Sequence, residues 1–348
     1  TLLSEKNHVV FGVASYDYTM TLASDPDEGG TVSVDNPGFN GYYYDGQPVT
    51  ISAVPNQGYV FNEWTKSYVG SNGNTQNTTV SYLSTSDIAL TETADYVAHF
   101  QQMDGIIIGE AAKTNERFPF NNYHSLTQQI YTAEELGTNP CQISSVSFFN
   151  TGSSMTRELD VYMVNTTKNE FDSSTDWIPV TEADLVYSGS VSVSSYGWTT
   201  IFFSMPFNYN GSNVALIINT KSSLYYGYNY RTFDTDDTYQ AICSSRSGTG
   251  NNYDPTNPSQ YSGNRYTEKN QVVFGVVSYD YPVTTSANPT EGGTASIIGN
   301  NVNGKYYYGQ PITLSATANS SYAFSTWKNG NEIISCYPEH NLNVTDIA

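Results

Sequence analysis

One loop of the sequence carries a cluster of carboxylates that could bind a metal ion. Asp234, Asp236 and Asp237 come directly after a predicted strand. Alternate carboxylates on a loop can direct their oxygens towards one hard cation, and calcium takes about six to eight oxygen ligands. The complete calcium-loop pattern also has a distal Glu, which is missing here, so a solvated turn is the other interpretation. Calcium is the one cofactor for which the sequence offers candidate ligands.

A second set of residues could bind a ligand through aromatic rings. Tyr226, Tyr228 and Tyr230 alternate along a predicted strand and therefore share one of its faces, which Tyr253 and Tyr261 could border. Tyr rings stack on the C–H faces of sugars while their hydroxyls form hydrogen bonds. The alternative is that these residues are one aromatic face of an ordinary sandwich.

Residues with the spacing of a catalytic site do not occur. The sequence has neither a Gly-x-Ser-x-Gly elbow nor a His-Glu-x-x-His motif, and its four histidines are scattered at positions 8, 99, 124 and 340. The three cysteines do not form a metal-ligand spacing. Cys141 and Cys243 could pair across one domain or remain separate buried thiols. We therefore predict that this segment is not an enzyme.

Composition and charge restrict the partners. The 348 residues include 13 Lys and Arg against 33 Asp and Glu, which gives a formal net charge of −20. Nucleic acid and anionic lipid are excluded as partners because no basic surface is available to neutralise phosphates. No apolar run approaches the roughly 20 residues of a membrane span, so we expect no membrane insertion. The 30 Tyr and 27 Gly residues favour many short strands joined by turns.

The two ends of the chain are copies of one segment. At a constant offset of 263 residues, several motifs recur without a gap. The matching pairs are residues 7–13 with 270–276, 28–31 with 291–294, 46–48 with 309–311, and Tyr59, Phe61 and Trp64 with Tyr322, Phe324 and Trp327. Aromatic residues at matching points of a repeat are usually its core, and a solvent-facing sugar platform is the alternative for Trp64 and Trp327.

The extent of the match predicts the domain boundaries. The match begins before the first repeat module, because residues 4–6 are similar to residues 267–269 at the end of the central domain. We therefore expect residues 1–17 to be the last strand of a preceding sandwich domain. Residues 18–104 form the first small module, 105–279 a central β-sandwich, and 280–348 the second module. Residues 345–348 resemble 86–89, after which the first copy continues into the alternating strand 95–100. We therefore expect the second module to lack its last strand.

The small modules resemble a known family. Their order is an alternating strand, Glu-Gly-Gly-Thr, a Gly-Gln-Pro segment, Pro-Asn-x-Gly-Tyr-x-Phe-x-x-Trp and a terminal Ala-x-Phe. The second copy departs from this order by lacking the last strand and by having Asn319-Ser320-Ser321 where the turn glycine is expected. This pattern is similar to the divergent internalin B-type repeat. The resemblance implies extracellular β modules that act as spacers and adhesive stalk units in bacterial surface proteins.

The central module is predicted to be a two-sheet β-sandwich of jelly-roll type, with one brief helix around residues 132–136. Its succession of segments 127–137, 174–178, 252–258 and 269–272 resembles a sandwich domain of secreted Bacteroidota proteins that is related to cleaved-adhesin domains. The fold class expected for the whole chain is therefore all-β. The resemblance implies a surface location and a role without catalysis.

These observations predict a non-catalytic segment of a secreted, tandem-repeat, bacterial cell-surface protein. The sandwich would bind a glycan or a host surface protein, and the repeat modules would space it from neighbouring modules of the same parent chain. The alternative is the accessory region of a larger secreted enzyme, a peptidase or glycoside hydrolase, whose catalytic domain lies outside this chain.

Overall fold

The computed structural model describes residues 15–120, 124–221, 229–246 and 252–345. The all-β prediction is confirmed, because strands dominate every described part of the chain. The brief helix is also confirmed as α1 (Ala133–Leu136). Within the described residues, no helix is both long and apolar enough to span a membrane. The chain divides into two compact units, Thr1–Met103 and Asp104–Ala348.

The first unit contains the first repeat module, which has eight strands. They are β1 (Tyr16–Asp25), β2 (Gly30–Asp35), β3 (Tyr42–Tyr44), β4 (Gln47–Pro55), β5 (Tyr59–Val69), β6 (Thr75–Ser81), β7 (Thr85–Leu90) and β8 (Ala94–Gln102). One sheet has the order β3-β1-β8-β5-β6, and a three-stranded sheet has the order β2-β4-β7. A 3₁₀ turn at Asp27–Gly29 joins β1 to β2. The strand expected within residues 1–17 falls outside the described residues up to residue 14, and β1 begins at Tyr16.

Strand β8 is the centre of the five-stranded sheet. It pairs in parallel with β1, from Met20↔Ala94 to Asp25↔His99, and antiparallel with β5, from Tyr59↔Gln102 to Tyr68↔Ala94. Its side chains alternate strictly, so Tyr96, Ala98 and Phe100 face inwards and are nearly inaccessible to solvent. The last strand of the module therefore joins the β1–β3 pair to the β5–β6 pair.

The core of the first module is aromatic. Trp64 and Phe61 are fully buried, and the ring of Phe61 lies 6.1 Å from that of Trp64 and 6.0 Å from that of Phe100. The Trp64 indole donates a hydrogen bond of 3.1 Å to the carbonyl oxygen of Ser84. Trp64 is therefore a core residue in this module, as the first of the two interpretations expected.

The sandwich consists of two sheets. Its strands are β9 (Ile106–Ile108), β10 (Lys113–Asn115), β11 (His124–Tyr131), β12 (Cys141–Asn150), β13 (Met155–Thr166), β14 (Leu185–Val193), β15 (Gly197–Tyr209), β16 (Asn213–Thr220), β17 (Tyr230–Asp234), β18 (Ala241–Arg246), β19 (Asn264–Tyr266), β20 (Glu268–Asn270) and β21 (Val272–Val276). Short 3₁₀ turns lie at Glu182–Asp184 and Pro258–Gln260. One sheet has the order β14-β13-β16-β11-β18-β19. The other has the order β10-β17-β12-β21-β9, with β15 paired to β12 and β20 to β17.

The main core lies between the two sheets. Val146 and Phe148 of β12 and Phe203 of β15 pack in one apolar cluster with Leu216 and Ile218 of β16. The outer face of the six-stranded sheet is covered as well, by a layer that contains Phe171, Trp177, Ile178, Val180, Tyr253 and Tyr261. This second layer explains why β16 is apolar on both of its faces rather than alternating.

An ion pair with a buried lysine connects helix α1 to the sandwich. Thr132 caps the helix, and Glu135 completes the capping box by accepting hydrogen bonds from the Thr132 backbone and hydroxyl. Glu135 Oε2 also accepts a hydrogen bond of 2.7 Å from Nζ of Lys269, which is fully buried. That ammonium donates further hydrogen bonds to the Ile130 carbonyl and the Gln240 side chain. One carboxylate therefore both caps the helix and pairs with a buried charge.

The second repeat module has seven strands where the first has eight, within the described residues. They are β22 (Tyr281–Pro282), β23 (Gly293–Ile298), β24 (Lys305–Tyr306), β25 (Pro311–Ala318), β26 (Trp327–Asn329), β27 (Glu332–Ser335) and β28 (Glu339–Asn343), with a 3₁₀ turn at Thr290–Gly292. The sheet β23-β25-β28 corresponds to β2-β4-β7, whereas β22-β24 and β26-β27 remain two separate pairs. Up to residue 345, where the described part ends, no strand takes the place of β8 between those pairs.

The pairing of β28 corrects one part of the sequence alignment. We expected residues 345–348 to take the place of 86–89. Instead Leu342 of β28 pairs with Ile312, as Ile88 of β7 pairs with Val49, and the carbonyl of Val344 accepts the Gly309 amide. The segment before this strand is shorter in the second copy, which moves the strand earlier in the chain. The similarity of residues 345–348 to residues 86–89 led to the incorrect alignment of this strand.

The buried lysine generates a prediction about pH. Burial lowers the pKa of Lys269 to about 8, although Glu135 acts in the opposite direction. The unfolded chain then binds more protons than the folded chain between pH 8 and the ordinary lysine pKa of about 10.4. We expect the free energy of unfolding of the wild type, relative to Lys269→Met, to rise above pH 8 by at most about 1.4 kcal/mol per pH unit. Urea denaturation between pH 7 and about 9.5, below the tyrosine range, measures it.

A matched variant is Glu135→Gln, which keeps the capping hydrogen bonds and removes the negative charge. In this variant the rise in the free energy of unfolding should begin at a lower pH, because the Lys269 ammonium loses the Glu135 carboxylate that favours its charged form. Parallel curves for the wild type and Lys269→Met would contradict this account.

Candidate functional site: an aromatic surface on the repeat modules

Of the tyrosines proposed to form a ligand-binding face, the three that the structure describes do not lie together on the surface. Tyr226 and Tyr228 lie outside the described residues. Tyr230 is fully buried in the main core, and its ring is 5.4 Å from that of Phe120 in an edge-to-face arrangement. The side of β17 that carries Tyr230 therefore packs inside the sandwich, where its ring stabilises the core.

Tyr253 and Tyr261 do come together, but within the outer layer of the six-stranded sheet. Their rings are 4.7 Å apart, and the Arg246 guanidinium lies over both at 4.6 and 4.7 Å. The Tyr261 hydroxyl accepts the amide of Asp254, and the Tyr253 hydroxyl is hydrogen-bonded to Ser244. Because both tyrosines are almost completely buried, they hold the covering segment in place and do not offer a free stacking face.

The three aspartates are divided between an ion pair and a turn. Asp234 accepts a hydrogen bond of 2.6 Å from Lys113 Nζ on the neighbouring strand. Asp236 and Asp237 are exposed and adopt positive φ values of 47° and 62° in the turn that follows. Across the described ranges, no three His, Cys, Asp or Glu side chains approach closely enough to share a metal ion. Lys113 already neutralises one of the proposed calcium ligands.

The cysteines are separate thiols. Cys141 lies on β12 and Cys243 on β18, so they belong to different sheets and no disulfide joins them, and the Cys243 thiol donates a hydrogen bond to the Arg117 carbonyl. Burial raises the pKa of the Cys141 thiol. Cys336 is exposed in the second repeat module and is free. Of the two alternatives for Cys141 and Cys243, the structure has the one with two separate thiols.

One row of side chains in the first module has the order of a catalytic triad. Thr65 Oγ1 and His99 Nε2 are 2.9 Å apart, and His99 Nδ1 is 2.9 Å from Asp25 Oδ2. Acyl transfer also requires donors for an oxyanion. The strands that carry these residues, β1, β8 and β5, are hydrogen-bonded side by side along the row, which therefore lies on a paired sheet face. We interpret it as a hydrogen-bonded network that joins the three strands.

An exposed cluster of aromatic rings in the first module is a stronger candidate. The ring of Tyr16 on β1 lies 5.9 Å from that of Phe39 and 5.8 Å from that of Tyr44, measured between centroids. Tyr42 lies on β3, the strand that carries Tyr44 and pairs with β1. Phe39 is 66% exposed, Tyr42 49% and Tyr16 44%. We call these four residues the aromatic surface. Rings left in water at adjacent positions mark a contact site more often than scattered single rings do.

The matching hairpin of the second module packs on the sandwich, through a tyrosine whose counterpart in the first module is Asp45. There Tyr279 packs on Tyr307 at 5.7 Å and Tyr281 on Tyr308 at 5.6 Å. Tyr308 also lies 5.7 Å from Phe202, which is on β15 of the sandwich. Phe202 faces outwards, because its neighbours at 201 and 203 are both in the main core. The second repeat module therefore packs directly on the outer face of a sandwich sheet.

A glycine makes this close approach possible. Gly309 follows Tyr308 at φ +81°, and a Cβ added to it would overlap the ring of Phe202. The same glycine in the first module is Gly46, at φ +76°, where an added Cβ would have no atom within 4 Å. Both glycines serve the turn by their positive φ, but only Gly309 is covered.

The aromatic surface was missed by the sequence reasoning, although a signal for it exists. At the 263-residue offset the three consecutive tyrosines at 42–44 match residues 305–307, where Lys305 replaces the first of them, and Tyr16 matches Tyr279. Tyr43 is buried whereas Tyr42 is exposed, which is the alternation of a strand. Pairing of β1 with β3 then brings Tyr16 against Tyr44. That pairing joins residues from two separate strands, so a search for local alternation does not find it.

The two repeat modules match a known family. Residues 20–103 and 283–345 match the model of the divergent InlB B-repeat domain. Such repeat domains are typical of surface or extracellular proteins. No curated protein and no solved structure matches the chain. The matched segments belong to the modules that carry the aromatic surface and the hairpin with Tyr308 and Gly309.

The covered glycine generates a matched pair of substitutions. Gly309→Ala and Gly46→Ala both introduce a Cβ at positive φ, which costs about 1 kcal/mol of strain. Only Gly309→Ala also forces the ring of Phe202 away, so we expect it to cost a further 1–3 kcal/mol, roughly the range for overpacking. Hydrogen exchange of β25 and of β4 measures the stability of each module.

Phe202→Ala should relieve the additional cost, so that the double variant Phe202→Ala/Gly309→Ala is more stable than the sum of the two single effects allows. Equal costs for Gly309→Ala and Gly46→Ala, without coupling to Phe202, would show that the second module does not pack on the sandwich.

Proposed function

We propose that the chain is a non-catalytic segment of a bacterial cell-surface adhesin. In this proposal, B-type repeat modules hold β-sandwich modules at a fixed spacing, and the sandwich contacts a glycan or a host-matrix protein. The observation that carries the proposal is the packing of the second repeat module on the sandwich, through Tyr308 and Gly309 against Phe202.

The packed junction supports a spacer that holds its neighbour in one orientation. A polar, Gly-rich linker lets two modules move independently, whereas an aromatic contact and a covered glycine restrict their relative orientation. The ring of Tyr281 also packs on that of Tyr308, with 5.6 Å between the ring centroids. The contact is therefore built from two layers of rings, which favours a stiff array over a flexible chain of modules.

The first module supports the same arrangement. Its aromatic surface lies beside Asp45 and Gly46, the counterparts of Tyr308 and Gly309, and three of its rings are more than 40% exposed. We infer that this surface is suited to pack on another sandwich module in the same way. The repeating unit would then be one sandwich with one repeat module, the 263-residue period of the sequence.

The charge and the resemblances support the adhesive role. A net charge of −20 on 348 residues favours solubility and opposes non-specific binding to nucleic acid and anionic lipid. The family match of the repeat modules is typical of surface proteins. The resemblance of the central module to cleaved-adhesin domains of Bacteroidota favours the sandwich as the part that contacts the ligand.

The test is a binding screen of the full chain against a glycan array and a panel of immobilised host-matrix proteins, with and without calcium. We expect saturable binding to at least one class, and we expect the variant Phe39→Ser/Tyr42→Ser to bind equally well, because the sandwich makes the contact. Dependence on calcium would indicate a role for the acidic loop at 234–237.

Loss of binding in Phe39→Ser/Tyr42→Ser, with the sandwich still folded, would place the ligand on the repeat module and contradict this division of roles. A screen without any binding partner would remove the adhesive part of the proposal.

A further inference from the structure

The amine of Lys269 lies in a largely closed site beside helix α1. Its side chain is fully buried, and Nζ lies 4.9 Å from the ring centroid of Tyr131 and 5.5 Å from that of Phe233. In the other lysine–carboxylate pairs that the described ranges contain, the lysine side chains are 19–52% exposed. Burial behind aromatic rings excludes water from an amine and favours its uncharged, nucleophilic form.

A carboxamide lies against this amine. Nζ of Lys269 is 2.5 Å from Oε1 of Gln240. Because an ammonium group has donors and no acceptor, the carboxamide turns its oxygen towards it. The carbon Cδ of Gln240 is bonded to that oxygen at about 1.23 Å, so it lies within roughly 3.7 Å of Nζ. Nucleophile and electrophile are therefore near the separation of about 3–3.5 Å from which reacting atoms combine.

The carboxylate of Glu135 is placed to move protons between these two groups. Its Oε2 accepts a hydrogen bond of 2.7 Å from the same Nζ. Transfer of one proton from the ammonium to the carboxylate leaves two uncharged groups, which burial favours over two charges. Burial lowers the pKa of Lys269 to about 8, in the direction of this transfer.

Main-chain hydrogen bonds hold the site together. The amide of Ile130 donates to the Gln240 carbonyl at 2.8 Å, and the Ile130 carbonyl accepts a hydrogen bond of 2.9 Å from Nζ of Lys269. Gln240 directly precedes β18, which belongs to the six-stranded sheet, whereas Lys269 lies on β20, which pairs with β17 of the other sheet. The amine and the carboxamide therefore come from different sheets of the sandwich.

We propose that Lys269 and Gln240 form an intramolecular amide bond after the chain has folded, with Glu135 as the general acid and base. Nζ attacks Cδ, so that the Nζ–Cδ bond forms and the Cδ–Nε2 bond breaks. Two protons pass from the ammonium to the leaving nitrogen through Glu135, and the nitrogen departs as ammonium, so no oxidant or co-reactant is needed. Gln240 is partly exposed, which gives the leaving group a path to solvent. The bond joins the two sheets covalently.

The test is the mass of the purified full chain, measured after denaturation. We expect a mass below that of the sequence by one ammonia, about 17 Da. Trypsin should then leave a branched peptide in which residues 232–246 are joined to residues 266–305, because an acylated Lys269 is no longer cleaved. The variant Lys269→Met should keep the full mass of its sequence.

Two further variants make the test specific. Glu135→Gln keeps the capping hydrogen bonds and removes the proton transfer, so its loss of ammonia after folding should be at least about a hundredfold slower. Lys221→Met is the matched control, because it removes a partly buried lysine whose Nζ donates to a carboxylate, that of Asp160, at 2.6 Å. This control should lose ammonia at the wild-type rate.

A wild-type chain that keeps its full mass on prolonged incubation, with Lys269 cleaved by trypsin, would overturn the proposal and leave the contact as a hydrogen bond alone. Loss of ammonia without the branched peptide would overturn it too, because another amide would then have reacted. Equal rates for the wild type and Glu135→Gln would contradict the role of Glu135. The pH-dependent stability described for Lys269 belongs to chain of full mass, because an amide has no amine to titrate.

Discussion

Hydrogen bonding along both edges of one central strand is the interaction on which the repeat modules depend. A strand inside a sheet needs a neighbour on each side, because unpaired backbone groups are costly when they are buried. In the first module β8 meets this need for β1 and β5 together, and its inward side chains Tyr96, Ala98 and Phe100 close the core. In the second module the described residues contain two strand pairs and an open groove between them.

The matching hairpins of the two modules have different environments. The hairpin that carries Tyr42 and Tyr44 in the first module exposes its rings to solvent, whereas the matching hairpin of the second module places Tyr308 and Gly309 on Phe202 of the sandwich. Backbone conformation explains a turn glycine in both copies, since both have positive φ. Gly309 has a second role in the contact with Phe202, because only a residue without a Cβ lets the Phe202 ring come this close.

Much of the fold could be predicted from the sequence. Alternating strands, turn glycines and the 263-residue repeat are local or self-comparing signals, and they indicated an all-β chain with two copies of a small module. The one short helix was also placed correctly, at a segment where Thr132 and Glu135 form a capping box. The match of residues 20–103 and 283–345 to the InlB B-repeat model agrees with the resemblance found in those motifs.

The site was harder to predict because it depends on contacts between distant residues. Alternation alone cannot tell an inward face from an outward one, so Tyr230 was placed with possible ligand contacts although it packs on Phe120 in the core.

The central claim is that a strand in the place of β8 determines the stability of each module. Hydrogen exchange of the full chain tests it directly, with β4 and β25 as internal references because each is paired on both sides. We predict that the amides of 20–25 and 60–63 exchange at least about a hundredfold more slowly than those of 283–288 and 323–326, because only the former are paired with a central strand. Equal protection of the two sets would contradict the account.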